Sequence, residues 1–362
     1  MTESIADPAP ARRGGRTRGP SLGDVAAHAG VSTQTVSRVA NGLTNVEAAT
    51  RDRVLASMQA LGYRPNRAAR ALRSGLFRNL GVVMFTLSSY GNMRTLDAIA
   101  VSAATAGYSI TVVPVERPTQ QDVSVAFTRL LEQAVDGIII VIEAHIVDRA
   151  DVELPPGLSV VVIDSTERSD YPQVDTDQAE GARQATEHLL SLGHETVWHI
   201  AGPAESYSAA RREQAWRDTL EAAGATVPEV FRGDWSTSAG YGFGREIAAR
   251  PEITAVFAAN DQMALGVLRA LHEAGRRVPD DVSVVGFDDM AESDSFWPPL
   301  TTIHQEFETT GRRAVELLIA EIEGRPEPVR SSVLPTRLIV RASSGPAPEG
   351  LPRGSRGASK RP

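Results

Sequence analysis

The chain contains no cysteine, so neither a disulfide framework nor a zinc–thiolate site can form. It has one lysine, Lys360, so nearly all its basic charge is arginine. No apolar run approaches the roughly 20 residues that span a bilayer. The first fifteen residues, MTESIADPAPARRGG, hold no apolar signal-peptide core. These absences lead us to expect a cytoplasmic protein. At 362 residues the chain is long enough for two or three domains with real cores.

The net charge of −8 hides an asymmetry. Residues 11–78 carry twelve arginines against Asp24, Glu47 and Asp52, a balance of +9, and the remainder sums to −17. A basic head on an acidic body suits a protein that meets phosphate with one end only.

Residues 22–41, LGDVAAHAGVSTQTVSRVAN, carry the sharpest pattern. A short helix presents Leu22, Val25 and Ala26, and Gly30 allows the positive φ of a tight turn. Ser32 stands at an N-cap position before a second helix. That helix turns Val36 and Val39 inward and Thr33, Gln34, Ser37 and Arg38 outward. Glutamine can pair with adenine, and arginine with guanine, in a major groove. This is a helix-turn-helix, and a plain surface hairpin is the weaker reading. Thr50 is placed to cap a third helix with Val54, Leu55, Met58 and Leu61 at helical spacing, and Gly62 ends it.

From residue 80 apolar strands alternate with helices. The expected strands are 80–86, 109–115, 137–142, 159–164, 196–202, 230–234, 255–260, 282–287 and 333–340. The expected helices are 93–106, 119–134, 178–192, 208–223, 237–250, 261–274 and 306–323. Runs such as Gly137-Ile138-Ile139-Ile140-Val141-Ile142 are apolar on both faces, as in parallel sheets. The pattern is doubly wound α/β, long enough for two lobes.

Several blocks bear a family likeness: Val31-Ser32 to Val39, Arg64-Pro65-Asn66, Ala201-Gly202-Pro203, Gly233-Asp234-Trp235-Ser236, Asn260-Asp261-Gln262-Met263, Val284 to Asp289 and Pro299-Leu300-Thr301-Thr302-Ile303. Together they resemble the LacI/GalR family of bacterial repressors over about residues 22–340. The resemblance implies an all-α helix-turn-helix head and a two-lobed, periplasmic-binding-protein-like α/β core of two doubly wound parallel sheets. The implied domains are a disordered basic tail, 1–20; the head, 21–63; a hinge helix or linker, 64–78; the core, 79–342; and a disordered tail, 343–362. Lobe 1 would be about 79–165 and 305–324, lobe 2 about 175–290 and 328–342, with crossovers near 165–177, 290–305 and 324–332. The tail has four prolines and one leucine, too few apolar positions for a heptad seam. A homodimer held by the lobes is therefore expected, without a tail-built tetramer.

By the same resemblance, Thr33, Gln34 and Arg38 read bases. Ser32, Thr35, Ser37, Asn41 and Tyr63 position phosphates. In the hinge, Asn66, Arg67 and Ala69 join the DNA contacts, and Leu72 is the apolar wedge that kinks the duplex at the operator centre. The implied effector set in the cleft is Phe85, Ser89, Asp164, Ser208, Arg212, Trp235, Asn260, Asp288, Gln305 and Phe307. Carboxylates, amides and a guanidinium suit vicinal hydroxyls, and an indole suits the apolar face of a sugar ring. Many of these positions follow strands, where open α/β sheets bind ligands. The implied effector is a galactoside or related glycoside. Alternatives are another carbohydrate, or a corepressor that strengthens DNA binding. Asp261 is expected to cap its helix.

Other chemistry is weaker. His194 and His199 lie five residues apart entering a strand, not on one helical face. Asp288-Asp289 lack a third metal ligand at suitable spacing. No nucleophile elbow or phosphate loop occurs. We therefore expect no enzyme, no cofactor and no metal. A periplasmic binding protein would share the lobes but lack residues 22–73.

Overall fold

The computed structural model describes residues 19–43, 45–64, 75–115, 120–141, 157–164, 171–325 and 329–349. It divides into two compact units, residues 1–76 and 77–362. Asn66, Arg67, Ala69 and Leu72, with most of the expected hinge, lie outside the described residues, as do the tails 1–18 and 350–362.

In the first unit, α1 (Leu22–Ala29) starts in a reciprocal cap. The Asp24 amide donates to Ser21 Oγ, and the Ser21 amide donates to Asp24 Oδ2 at 2.7 Å. Gly30 ends the helix at φ 64°. Helix α2 (Thr33–Ala40) is capped by Ser32, whose Oγ accepts from the Thr35 amide at 3.1 Å. Helix α3 (Ala48–Leu61) begins two residues before the expected cap. Glu47 holds the cap position without a side-chain bond, because Ala48 and Ala49 are strong helix formers and extend the turn past Thr50. Val25, Ala26, Ala29, Val36, Val39, Val54 and Met58 close one small core, and Leu55 is left 48 % exposed.

The second unit holds two parallel sheets. Its elements in chain order are β1 (Asn79–Met84), α4 (Tyr90–Thr105), β2 (Ser109–Pro114), α5 (Gln120–Glu132), β3 (Gly137–Val141), β4 (Ser159–Ile163), β5 (Gln173–Thr176), α6 (Gln178–Ser191), β6 (Trp198–Ala201), α7 (Tyr207–Ala222), β7 (Phe231–Arg232), α8 (Thr237–Ala248), β8 (Ala255–Ala258), α9 (Asp261–Glu273), β9 (Ser283–Val285), β10 (Thr302–His304), α10 (Phe307–Ile322), β11 (Ser331–Leu334) and β12 (Arg337–Ile339). Lobe 1 is the six-stranded sheet β11-β5-β4-β3-β1-β2, and lobe 2 the four-stranded sheet β7-β6-β8-β9. All pairings within both are parallel.

Three expectations are corrected. Residues 331–334, placed by sequence in lobe 2, pair with β5 in lobe 1. The expected strand 333–340 is therefore two strands, and β12 turns back to pair antiparallel with β10 in a third, two-stranded sheet. The chain thus changes lobe at Asp177, at 305–306 and at 335–336. Finally, residues 343–349 are not an unstructured tail. Ser343 is fully buried, its Oγ donates to the Val284 carbonyl at 2.6 Å, and the Ala347 amide donates to Leu192 O.

Lobe 2 encloses His199 between Trp216 and Phe257, with ring centroids 5.2 and 4.7 Å away. Nδ1 donates to the Phe257 carbonyl. Burial pushes the imidazole down to about 3, and burial also lowers His188 and His194. A depressed histidine contributes stability that is complete above its unfolded value of about 6.5 and is lost as pH falls below it. Buried Asp261, raised to about 6, and Asp164, also raised, act in the opposite sense. Comparing wild type with His199→Phe isolates the imidazole. Below pH 6.5 the wild type should lose about 1.4 kcal/mol per pH unit relative to the variant, down to the folded value. Urea titrations at pH 5 and 7 measure this, and parallel curves would show that His199 is not buried neutral.

Candidate functional site

In the head, Gln34 and Arg38 stand four residues apart on the side of α2 opposite Val36 and Val39. Ser32, Thr33 and Gln34 are exposed, and Thr35, Ser37, Arg38 and Asn41 are half-buried. Gln34 and Arg38 make no side-chain hydrogen bond among the described residues, so their donors are available to a partner. Ser32, Thr35, Ser37 and Asn41 are partly engaged at home. Asn41 Nδ2 donates to Ser37 O at 2.6 Å, and Ser32 Oγ meets Thr35 Oγ1 at 2.9 Å. Tyr63 packs half-buried against the head core.

In the second unit, a cleft of about 490 Å³ opens between the lobes at the carboxyl ends of the strands. Nine of the ten expected effector residues line it: Ser89, Asp164, Ser208, Arg212, Trp235, Asn260, Asp288, Gln305 and Phe307. Phe85 does not. Side chains alternate along β1, and Phe85 falls with Val83 on the face covered by Val123 and Phe127. Sequence reasoning missed Thr95, Thr176, Gln178 and Thr310, which also line the cleft. Three of these sit in helices, where a polar residue gives no signal of its own.

A chain of hydrogen bonds crosses the floor. Arg212 Nε donates to Gln178 Oε1 at 2.8 Å, Gln178 Nε2 to Gln305 Oε1 at 3.3 Å, and Gln305 Nε2 to Asp288 Oδ1 at 2.7 Å. Arg212 is 4 % exposed, also donates to the Ala259 carbonyl, and lies 3.7 Å over the Phe287 ring. Desolvation holds the Asp164 carboxyl above its ordinary range, against the Arg212 charge and bonds from Gln178 and the Thr176 amide. Asn260, not Asp261, caps α9: its Oδ1 accepts from the Met263 amide at 2.8 Å while Nδ2 donates to Trp235 O. Asp261 instead braces the next loops, accepting from Met290 N, Ser293 Oγ and Thr302 Oγ1.

Six non-glycine residues among those described have positive φ, and three of them, Asp164, Trp235 and Asp288, are cleft residues. Such backbone costs about 1–3 kcal/mol each and gathers where geometry serves a site. Gly202 makes room for the indole, since a Cβ there would lie 2.3 Å from Trp235. At the mouth, the Tyr90 amide of lobe 1 donates to Gln262 Oε1 of lobe 2 at 3.1 Å, and the Tyr90 ring meets Phe307 edge-on.

The helix-turn-helix head and the two-lobed core define a DNA-binding transcription regulator with a small-molecule cleft. Residues 21–66 match the bacterial regulatory proteins, lacI family, and residues 186–344 match the periplasmic binding protein-like domain. The lactose operon repressor of Escherichia coli (strain K12) is 35 % identical over 326 residues, 90 % of each chain. The chain belongs to the lacI family of bacterial regulatory proteins. Among solved structures, the lac repressor dimer bound to operator and the anti-inducer ONPF is similar with a TM-score of 0.80 and 34 % identity, covering 91 % of this chain and all of that one. The complex of the transcriptional regulator CelR with cellobiose has a TM-score of 0.66 and 32 % identity, covering 90 % and 99 %. Among the described residues no helix is long and apolar enough to cross a membrane.

Proposed function

We propose that this chain is a homodimeric repressor that releases a pseudo-palindromic operator when a small sugar, of the glycoside class, occupies the cleft. The carrying observation is the composition of that cleft. Asp164, Arg212, Asn260, Asp288 and Gln305 offer in-plane donors and acceptors beside the Trp235 indole and the Phe307 ring. Ring hydroxyls take such polar groups, and the C–H face of a pyranose takes an aromatic plane. Sugar binding is stronger in one lobe angle than in the other, and that difference is what loosens the operator. The linkage is reciprocal, so operator weakens sugar affinity by the same factor. The lac repressor dimer bound to operator, and CelR bound to cellobiose, support this reading by analogy.

A thermal-shift and operator-release panel of glycosides tests it. A ligand at 100 times its Kd adds about 2.7 kcal/mol of stability. Stabilisation by glycosides with release of operator is expected. Stabilisation by a ligand that tightens operator binding would replace induction by corepression.

Arg38 is assigned to base reading and Gln34 to its neighbour. Arg38→Ala should therefore weaken operator binding by about 1–3 kcal/mol while non-specific DNA binding barely changes. Anisotropy titrations on operator and scrambled duplexes separate the two, and equal losses on both would make Arg38 a phosphate contact.

A further inference from the structure

The wall that lobe 1 contributes to the cleft is polar, and one of its groups is unusual. Threonines inside helices commonly return their hydroxyl to the carbonyl four residues back. Thr105, Thr128, Thr186, Thr219 and Thr310 all do so here. Thr95, in the second turn of α4, does not. It is only 5 % exposed, it lines the cleft, and its hydroxyl has no hydrogen bond among the described residues. One turn earlier, Asn92 is 6 % exposed and also lines the cleft. Its Nδ2 is committed to the Thr86 carbonyl at 3.0 Å, which leaves Oδ1 to accept. A hydroxyl this buried without a partner costs about 1–3 kcal/mol. No basic side chain joins this wall, so the complementary group is neutral and hydroxylated.

We infer that Thr95 and Asn92 form a second sugar subsite, and that the effector is a disaccharide-class glycoside. This rests on the sugar reading above. The first ring is held at the Arg212–Asp288 end. The second ring places hydroxyls on Thr95 Oγ1 and Asn92 Oδ1, beside Phe307.

The test is calorimetry on the full-length chain with two matched probe pairs: cellobiose against methyl β-D-glucopyranoside, and lactose against methyl β-D-galactopyranoside. In one pair the disaccharide should bind about ten-fold or more tightly than its methyl glycoside. Thr95→Val should collapse that ratio to near one, and Thr95→Ser should keep it. Parity within both pairs, or a ratio unmoved by Thr95→Val, overturns the subsite while leaving the sugar reading intact. If none of the four probes binds, the sugar reading for these glycosides fails, and the subsite with it.

Discussion

Replacing Arg212 with alanine should leave a protein that holds operator DNA and no longer releases it when sugar is added. The guanidinium is buried and tied to Gln178, to the Ala259 carbonyl and to the Phe287 face, so its orientation is set before any ligand arrives. A planar fork of donors held in that way matches a pair of ring hydroxyls. Removing one member of a buried, charge-assisted set costs about 2–5 kcal/mol, or roughly 30- to 4,000-fold in ligand affinity. Operator anisotropy across a sugar titration reads this directly. Asp288→Asn is the companion, since it removes the acceptor of Gln305 with little change of shape. Circular dichroism melting confirms that each variant is folded. Normal release in both variants would move the ligand site elsewhere. Failure of a folded Arg212→Ala protein to bind operator at all would mean that ligand is required for binding.

Gly266→Ala should be the most damaging single methyl in the molecule. Helices α8 and α9 cross so closely that a Cβ on Gly266 would lie 2.2 Å from the Thr237 carbonyl oxygen and 2.4 Å from the Tyr241 amide nitrogen. Both obstacles are backbone and cannot rotate away, so the helices must separate and loosen the core around Met263 and Val267. Overpacking of this kind costs about 3 kcal/mol or more. Gly242→Ala is the control. It lies in α8 with nothing within 4 Å of its Cβ position, and it should gain up to about 1 kcal/mol from helix propensity alone. Thermal melting of the pair tests the crossing. Similar midpoints for the two variants would mean that the helices are not packed through Gly266.

The long periodic segments were legible because one physical rule governs each. Runs such as 137–141 are apolar on both faces and are buried on both. Ser32 caps α2 because its oxygen is the only nearby acceptor in register with the Thr35 amide. Short strands were not legible. Gln173-Val174-Asp175-Thr176 carries no apolar run and is buried only because β4 and β11 flank it. The same blindness placed 331–334 in the wrong lobe. Its partner is 158 residues away in sequence at Gln173↔Ser331, and strand periodicity says nothing about partners. In the cleft, residues after strands were found by the rule that ligands gather there. Gln178, Thr95 and Thr310 were not, because they belong to helices and look like ordinary solvent-facing polar positions. Phe85 was misplaced by one step of the strand alternation.

The floor of the cleft has a mechanical meaning. Gln178 follows the first lobe crossover by one residue, and Gln305 lies within the second. The residues that join Arg212 to Asp288 are therefore the same residues about which the lobes must pivot. No separate lever has to carry a signal from a ligand pocket to a distant joint. Occupancy and lobe angle are one coordinate here: whatever displaces a link of this chain turns the joint, and whatever turns the joint rewrites the geometry offered to the ligand. A substitution at either glutamine should consequently change affinity and switching together, and the two properties would be hard to evolve apart.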